Sequence, residues 1–161
     1  MTIAVGDKVP DVSVMTPTAD GPKPVQTGEV LGHGKVVLFA VPGAFTPTCS
    51  DHHLPGFVLR AADLKAKGAA TIACVAVNDA FVLGAWGKAR GVGDDILMLA
   101  DGNGDFATAM GLALDGRGLG MGLRSQRYLV IAEDGVVTKV EVESSPGALD
   151  VSSADAALAA L

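Results

Sequence analysis

The sequence predicts an α/β fold in which a mixed central β-sheet is flanked by helices on both faces. Three continuous apolar runs, typical of buried strands, alternate with segments whose apolar residues recur three and four positions apart, as on an amphipathic helix. A β-hairpin signal and a final helical segment follow the third run. Because strand–helix–strand units are parallel and hairpins are antiparallel, this order of elements indicates a mixed sheet.

The first part of the sheet is predicted from two of these runs and the helix between them. Residues 36–41 and 71–77 are the predicted strands. Residues 50–67 are the predicted helix, and its inward face is expected to be Leu54, Phe57, Val58, Ala61 and Leu64. The pair Pro55-Gly56 lies inside this pattern and should bend or bulge the helix, whereas Gly68 ends it.

The second part of the chain supplies the remaining elements. A helix at 80–90 precedes the third strand at 96–100, and its inward residues are predicted to be Phe81, Val82, Ala85 and Trp86. The further predictions are a polar turn at 101–104, a short helix at 105–111, a glycine-rich loop at 114–122, strands at 128–131 and 136–140 joined at Glu133-Asp134-Gly135, and a helix at 153–161 capped by Ser152 or Ser153. Residues 1–34 should form loops and a short strand or hairpin. This order suits a thioredoxin-like fold.

Size and composition limit the classes of function. With 161 residues the chain is predicted to be a single domain spanning 1–161. A net charge of −6 argues against nucleic-acid or anionic-membrane partners, and no apolar run approaches the roughly 20 residues of a membrane span. Two cysteines make no disulfide framework, and the first residues lack the pattern of a signal peptide, so we expect a cytoplasmic protein.

Cys49 is the candidate nucleophile. It follows the strand at 36–41, and Pro47 can open a helix there, with Thr46 or Thr48 capping the free amides. Cys49 then falls in the first helical turn, where unpaired N–H groups and the helix dipole favour a thiolate. The alternative is a small, buried, inert cysteine, but the Thr, Ser and Asp neighbours and the prolines of this stretch are unlike a buried helix interior.

The stretch around Cys49 resembles a known active-site signature. The pattern Pro42-x-x-x-Thr46-x-x-Cys49 looks like that of the peroxiredoxins, and Pro-Gly-Ala-Phe-Thr-Pro-Thr-Cys-Ser is similar to their atypical, peroxiredoxin-5-like branch, which includes the plant type II enzymes. The likeness continues in family order through residues 53–57, 74–79, 85–86, 99–104 and 124–128. It implies a thioredoxin-like fold with extra N-terminal strands, a homodimer, and a thiol peroxidase that reduces hydrogen peroxide and small alkyl hydroperoxides through a cysteine sulfenic acid.

The resemblance also implies roles for the residues of this stretch. Cys49 matches the peroxidatic nucleophile. The hydroxyl of Thr46 can accept a hydrogen bond from the peroxide or donate one to the sulfur, and a helix cap is its alternative role. The backbone amides of Thr48 and Cys49 can hold the substrate oxygens. Pro42 is expected to shield the sulfur from water, or simply to end the strand.

Arg127 matches the family arginine that lies beside the thiolate. In that role it stabilises the thiolate by Coulomb attraction and by hydrogen bonds to sulfur and peroxide. Arg124 is the competing candidate, with a surface or dimer-contact position as its alternative. Because side chains three residues apart on an extended segment point to opposite faces, only one of the two should reach the pocket. His53 matches the family histidine after the reactive cysteine and is expected to support the site.

Metal and nucleotide sites are not indicated. Cys49, His52 and His53 lack a fourth zinc ligand, and neighbouring histidines point in different directions on a helix. Residues 101–105 begin like a calcium loop, but the glycine and the bidentate glutamate of such a loop are missing. The glycines at 116–122 contain no Gly-x-Gly-x-x-Gly and precede no phosphate-loop lysine. We therefore expect neither a metal nor another cofactor.

Cys74 is the candidate resolving cysteine because it is the other thiol of the chain. Some relatives resolve the sulfenic acid with a cysteine near the C-terminus, but residues 143–153 contain none. Cys74 lies mid-strand in an apolar run, where a disulfide with a helix-start cysteine would require the helix to unwind. We expect Cys74 to be structural and an external thiol, glutathione with glutaredoxin or else thioredoxin, to recycle the enzyme. A Cys49–Cys74 bridge after local opening is the alternative.

A function from another class also competes, namely a non-catalytic binding or holdase protein on the same fold. A binding protein has no need for a thiolate at neutral pH, whereas a thiol peroxidase depends on one. The protonation state and peroxide reactivity of Cys49 therefore discriminate between the two functions.

Overall fold

The computed structural model describes residues 1–161. A π-helical turn occupies Cys49–His53, and a 3₁₀ turn occupies Arg117–Leu119. The strands are β1 Ser13–Thr16, β2 Lys23–Gln26, β3 Lys35–Ala40, β4 Ala69–Ala76, β5 Leu97–Ala100, β6 Ala113–Asp115, β7 Leu123–Ser125, β8 Tyr128–Glu133 and β9 Val136–Val142. The α-helices are α1 Thr27–Val30, α2 Leu54–Ala66, α3 Ala80–Ala89, α4 Asp105–Met110 and α5 Ala154–Ala160.

Seven strands form one mixed sheet in the order β2-β1-β5-β4-β3-β8-β9. The apolar runs β3, β4 and β5 are parallel neighbours at its centre, and β8 lies antiparallel to β3. The hairpin β1–β2 extends the sheet beyond β5. The predicted α/β class, with a mixed sheet and additional N-terminal strands, is therefore confirmed.

Two apolar layers cover the central strands. Side chains of α2, α3 and α5 pack on one face of the sheet, and Cys49 and Cys74 belong to that cluster. The other face packs against α4 and the N-terminal segment, through residues that include Leu31, Phe106 and Met110. Because both faces are covered, the central strands consist of continuous apolar runs rather than alternating ones.

The hairpin and the final helix follow their local signals. Asp134 and Gly135 both have positive φ, 49° and 82°, as a two-residue hairpin turn with this twist requires. Ser153 rather than Ser152 caps α5, since its hydroxyl accepts the amide of Ala156 at 3.1 Å.

The predicted inward face of α3 is confirmed at Trp86 and wrong at Phe81 and Ala85, which are exposed, while Val82 is half-buried. Ala80, Leu83, Trp86 and Gly87 are buried, whereas Phe81 is 75% exposed. The helix carries apolar residues nearly all round, so periodicity did not define one face. The buried face is the one on which the helix backbone approaches its neighbours closely. A β-carbon on Gly87 would lie only 3.0 Å from the side chain of Val92.

The stretch predicted as a glycine-rich loop, 114–122, contains regular structure. Its first residues lie in β6, which pairs with β7 as a separate two-stranded ribbon, and the 3₁₀ turn lies between them. The amide of Gly116 donates to the carbonyl of Gly122 at 2.7 Å and closes the ribbon. Strands of three residues are too short to show a period of two, which is why the sequence did not reveal them.

Candidate active site

Cys49 lies just after the loop that connects the central strand β3 to a helix. The chain leaves β3 at Ala40, and the helix begins at Pro47, a position that suits proline because its missing N–H is not needed there. Cys49 follows in the first turn and is fully buried. In the connecting loop, Phe45 has a φ of 63°, a strained conformation for a non-glycine residue.

Two hydrogen bonds hold the loop between β3 and this helix. The side-chain carbonyl of Asn78 accepts the amide of Ala44 at 2.9 Å, and the hydroxyl of Thr46 donates to the carbonyl of Gly43 at 2.7 Å. The prediction that Thr46 or Thr48 caps the helix through its side chain is therefore wrong. Thr46 uses its hydrogen inside the loop, and Thr48 donates instead to the carbonyl of Gly147 at 3.2 Å.

The helix start leaves backbone donors free beside the sulfur. The amides of Thr48 and Cys49 donate to no backbone carbonyl, as expected for the first turn of a helix. With no side-chain cap, these N–H groups remain available to an oxygen atom that approaches Cys49.

The expected bulge near Pro55 is a π-helical turn that begins at Cys49 itself. The amide of Leu54 reaches back five residues to the carbonyl of Cys49. Pro55 has no N–H for the regular helical bond, and the wider turn accommodates it at the start of α2. The turn is also tied to α3, because the indole N–H of Trp86 donates to the hydroxyl of Ser50 at 2.9 Å.

Arg127 reaches the sulfur because of the strand order. It directly precedes β8, whose first residue, Tyr128, pairs with Ala40 at the end of β3. Its Nη2 donates to the Sγ of Cys49 at 2.9 Å. Its Nε and Nη2 also donate to the carbonyl of Pro146, at 3.1 and 3.0 Å.

The charge of Arg127 has no carboxylate partner. The residue is 2% exposed, and none of the ion pairs in the molecule includes it. An unpaired buried cation is costly, so the anion best placed to balance it is the thiolate of Cys49. The arrangement therefore stabilises the ionised, nucleophilic form of the sulfur.

His53 supports Arg127 from the other side. Its Nε2 lies 2.8 Å from the carbonyl of Ser152 and its Nδ1 lies 2.7 Å from Nη1 of Arg127. Since the carbonyl can only accept and the guanidinium can only donate, His53 must be neutral, with its hydrogen on Nε2. Burial, and then the charge of Arg127, lower the pKa of His53 from 6.5 to about 3, in agreement with this tautomer.

Arg124 does not contact the sulfur. Its Nε donates to the carbonyl of Met121 at 2.8 Å. A β-carbon on Gly43 would lie 3.0 Å from its Nη1, so the guanidinium lies against the active-site loop. Of the two candidate arginines, the structure thus places Arg127 on Cys49.

Cys74 lies in β4, opposite Phe39 and Met98, and packs in the same apolar cluster as Cys49. Both cysteines are free thiols. Burial, and then the proximity of Cys49, raise the pKa of the Cys74 thiol well above its ordinary value. Cys74 is therefore a protonated, weakly nucleophilic thiol while it stays in the strand.

The calcium-like stretch at 101–105 has a structural role. The carboxylate of Asp101, at the start of the calcium-like stretch, accepts the amides of Phe106 and Ala107 at 2.9 Å each and so holds the start of α4. No group of three or more His, Cys, Asp or Glu side chains is arranged to hold a metal ion. None of the helices is long and apolar enough to span a membrane.

Several residues of the site were missed from the sequence. Glu143, Pro146 and Ser152 lie in the C-terminal segment, where the sequence indicated only a lack of cysteine and Ser152 as a possible helix cap, and Asn78 was not assigned a role. Pro146 and Ser152 act through backbone carbonyls, which leave no signature in a sequence. Glu143 resembles any other acid at a strand end, and only its burial distinguishes it.

Comparison with known proteins agrees with this geometry. The sequence model of the family described as Redoxin matches residues 4–158. Peroxiredoxin-2E, chloroplastic, of Arabidopsis thaliana is 48% identical over 99% of this chain and 70% of its own length, and Peroxiredoxin-2B of the same plant is 47% identical over 99% and 98%. Among solved structures, reduced Prx3 in complex with H2O2 from Vibrio vulnificus has a TM-score of 0.93 at 50% identity and covers 99% of both chains.

The family model and the plant relatives both match almost the whole chain, including the segments that carry Cys49 and Arg127. Identity of about half over that length is far beyond a likeness of fold alone. The chain therefore belongs to the redoxin family and, within it, to the peroxiredoxins, which are thiol peroxidases.

Proposed function

We propose that this peroxiredoxin reduces hydrogen peroxide and small alkyl hydroperoxides, with Cys49 as the peroxidatic nucleophile. The thiolate attacks one peroxide oxygen, the O–O bond breaks, and the second oxygen leaves as hydroxide or alkoxide and takes up a proton. Sulfur is oxidised to the sulfenic acid as the peroxide is reduced to water or alcohol. The observation that carries this proposal is the buried Arg127, which donates to Sγ at 2.9 Å without a carboxylate partner.

The loop offers complementary groups for the peroxide. Because the hydroxyl of Thr46 gives its hydrogen to Gly43, its free lone pairs can accept a hydrogen bond from the peroxide O–H. The free amides of Thr48 and Cys49 and the guanidinium of Arg127 can donate to oxygens on which charge develops. Pro42, at the start of the same loop, is buried, and its proposed role is to limit access by water. The full burial of Cys49 favours small substrates, and the solved Vibrio Prx3 relative is in complex with H2O2.

The decisive variant is Cys49→Ser. We expect it to lose peroxide consumption completely while its circular dichroism stays that of the wild type, because Ser lacks a nucleophile ionised at neutral pH. Cys74→Ser is the matched control, since it changes the same atom in the other thiol. Peroxide consumption that survives in well-folded Cys49→Ser would refute the assignment. Absence of peroxide consumption by the wild type itself would instead leave the binding or holdase function as the better explanation.

The reductant is proposed to be an external thiol, glutathione acting with glutaredoxin. Residues 143–153 hold no cysteine, and Cys74 is buried and protonated, so no second thiol is poised to attack the sulfenic acid. A small thiol would form a mixed disulfide with Cys49 and release water, and a second thiol would then free the enzyme. Steady-state peroxide consumption with glutathione–glutaredoxin, compared with a thioredoxin system at equal enzyme, tests this choice. Faster turnover with thioredoxin would reverse it.

A further proposal concerns the oligomeric state and the setting of the protein. We propose a homodimer, supported by family membership and by large apolar side chains that are exposed on this chain, among them Phe45 and Leu119. Sedimentation velocity measures the state directly. That residues 1–161 act as one domain, in the cytoplasm and without nucleic-acid, membrane or cofactor partners, stays a prediction from the sequence.

A further inference from the structure

Glu143 is a buried carboxylate that the peroxidase mechanism does not use. It follows the last residue of β9, and its amide donates to the carbonyl of Arg127 at 3.0 Å, so the two residues lie opposite each other in the ladder. It is 7% exposed, and none of the ion pairs in the molecule includes it. Burial of a carboxylate without a cation is costly unless hydrogen bonds satisfy it.

The carboxylate is satisfied by the far end of the following loop. Its Oε2 accepts the amides of Asp150, Val151 and Ser152 at 3.0, 2.9 and 2.8 Å, and the hydroxyl of Ser152 at 2.6 Å. Its Oε1 accepts the amide of Asp150 at 3.0 Å. One side chain thus joins residue 143 to residues 150–152 and closes the segment between them into a loop.

That loop supplies the carbonyls that hold the polar groups around Cys49. Pro146 accepts two hydrogen bonds from Arg127, Ser152 accepts one from His53, and Gly147 accepts one from Thr48. The loop contributes these carbonyls but no side chain that touches the sulfur. A group that holds the shape of this loop therefore also helps to hold the direction of the Arg127 guanidinium.

We propose that Glu143 is a positioning residue of the peroxidase reaction. By closing the loop 144–152 it holds the carbonyls of Pro146 and Ser152 where they aim Arg127 and His53 at Cys49. This inference rests on the proposed role of Cys49 and adds a residue that acts on it through others. The carboxylate must be ionised, because every group around it is a donor and an added hydrogen would oppose one of them.

The charge state of Glu143 agrees with this role. Burial by itself would raise the pKa of Glu143, but the hydrogen bonds from the Ser152 side chain and from the amides of Asp150, Ser152 and Val151 outweigh it. The pKa of Glu143 is thereby held below its ordinary value, so the hydrogen bonds that close the loop 144–152 persist throughout the neutral pH range.

The test uses Glu143→Gln, which keeps the shape and volume of the side chain but places an NH₂ among donors. We expect the midpoint of the pH profile for Cys49 alkylation by iodoacetamide to rise by about one pH unit, which is the effect of losing roughly one charge-assisted hydrogen bond. Single-turnover oxidation by hydrogen peroxide should slow about tenfold at neutral pH. Mass spectrometry assigns the alkylation to Cys49 rather than Cys74.

Two further variants keep the experiment decisive. Glu141→Gln, two residues earlier on β9, changes a half-buried acid that pairs with Lys139 and should alter neither readout. Ser152→Ala removes only the hydroxyl donor to Glu143 and should shift both readouts in the same direction by less. If Glu143→Gln does not fold, Ser152→Ala decides the question.

The proposal is overturned if well-folded Glu143→Gln, or Ser152→Ala in its place, matches the wild type in alkylation midpoint and oxidation rate. A merely structural role would lower the unfolding temperature without moving the alkylation midpoint. The alkylation profile requires no peroxide, so it tests the link between Glu143 and Cys49 even if the wild type fails to consume peroxide. An unchanged alkylation midpoint in the variant would refute only the role of Glu143. A wild type that consumes no peroxide would refute the proposed function.

Discussion

Arg127 lowers the stability of the fold through its buried charge, and the same charge serves the chemistry of Cys49. Its guanidinium is buried and forms no ion pair with a carboxylate, and its partners are one sulfur, one neutral imidazole and one carbonyl. A carboxylate in that place would satisfy the charge and leave the sulfur unassisted. With neutral partners only, the guanidinium keeps its attraction for a thiolate and for the oxygen atoms of a peroxide.

At this scale we predict that Arg127→Ala slows single-turnover oxidation of Cys49 far more than Arg124→Ala does. A hydrogen bond from a charged donor is worth about 1.5–3 kcal/mol, which corresponds to a loss of roughly 10- to 100-fold in rate. Arg124 donates to Met121 and lies beside Gly43, so its removal should change the rate only a few-fold. Stopped-flow oxidation of both variants measures the ratio, and a larger defect in Arg124→Ala would mean that the wrong arginine was assigned.

The buried, neutral His53 should make stability depend on pH. Its pKa falls from 6.5 to about 3 on folding, so the unfolded chain binds this proton more strongly than the folded protein does. The stability present above about pH 6.5 is therefore lost as the pH falls toward 3, with a slope of up to about 1.4 kcal/mol per pH unit.

Urea unfolding at several pH values between about 7.5 and 5 measures this slope before most carboxylates titrate. His53→Gln keeps an acceptor for Arg127 and a donor for Ser152 but cannot titrate, so its slope should be shallower than that of the wild type. His52→Gln, at the exposed neighbouring position, should keep the wild-type slope. Equal slopes in His53→Gln and the wild type would show that His53 is not the titrating group.

At the scale of elements, α3 illustrates how packing chooses a helix face. The apolar residues of this helix surround it, so several faces could have been buried. Gly84 and Gly87 let the backbone approach Pro17 and Val92, since a β-carbon at either position would lie within about 3 Å of those side chains. Contact along that side buries Leu83 and Trp86 and leaves Phe81 in solvent.

We predict a corresponding difference in stability between two substitutions on α3. Leu83→Ala should lower the free energy of unfolding by about 2–5 kcal/mol, because it leaves a cavity under a fully buried side chain. Phe81→Ala should change it by no more than about 0.5 kcal/mol, as surface substitutions usually do. Chemical denaturation of both variants provides the measurement. A cost for Phe81→Ala that equals that of Leu83→Ala would restore the inward face predicted from the sequence.

For the molecule as a whole, the question is whether its two thiols can meet. Cys49 is in a helical turn and Cys74 in the middle of the sheet, with ladder partners on both sides. The two share an apolar cluster, but each is held by its own element. A disulfide needs Cβ atoms that converge, and that would require the helix start to unwind from the sheet.

We therefore predict that one equivalent of hydrogen peroxide, added without external thiol, leaves Cys49 as a sulfenic acid and Cys74 as a free thiol. A sulfenic-acid trap and intact mass spectrometry should show one trapped adduct per chain, located on Cys49. Rapid and nearly complete formation of an intramolecular disulfide, together with lost turnover in Cys74→Ser, would contradict this. It would mean that the helix start opens more readily than the folded contacts suggest.

What the sequence determined by itself was the part of the protein that depends on local chemistry. The apolar runs predicted β3, β4 and β5, and the turn residues predicted the β8–β9 hairpin, because periodicity and turn geometry are properties of neighbouring residues. The placement of Cys49 after Pro47 followed from the same local rules. The resemblance to peroxiredoxins supplied Thr46 and Arg127 as residues to look for, though not their partners.

Only the tertiary structure decided which distant groups share the site. Arg127 meets Cys49 because β8 lies beside β3, and Pro146, Ser152 and Glu143 enter through a loop that approaches from the C-terminal end of the chain. These contacts join residues far apart in sequence, and several involve backbone carbonyls that every residue possesses. Their identity therefore depends on strand order and loop closure, which no local pattern of side chains encodes.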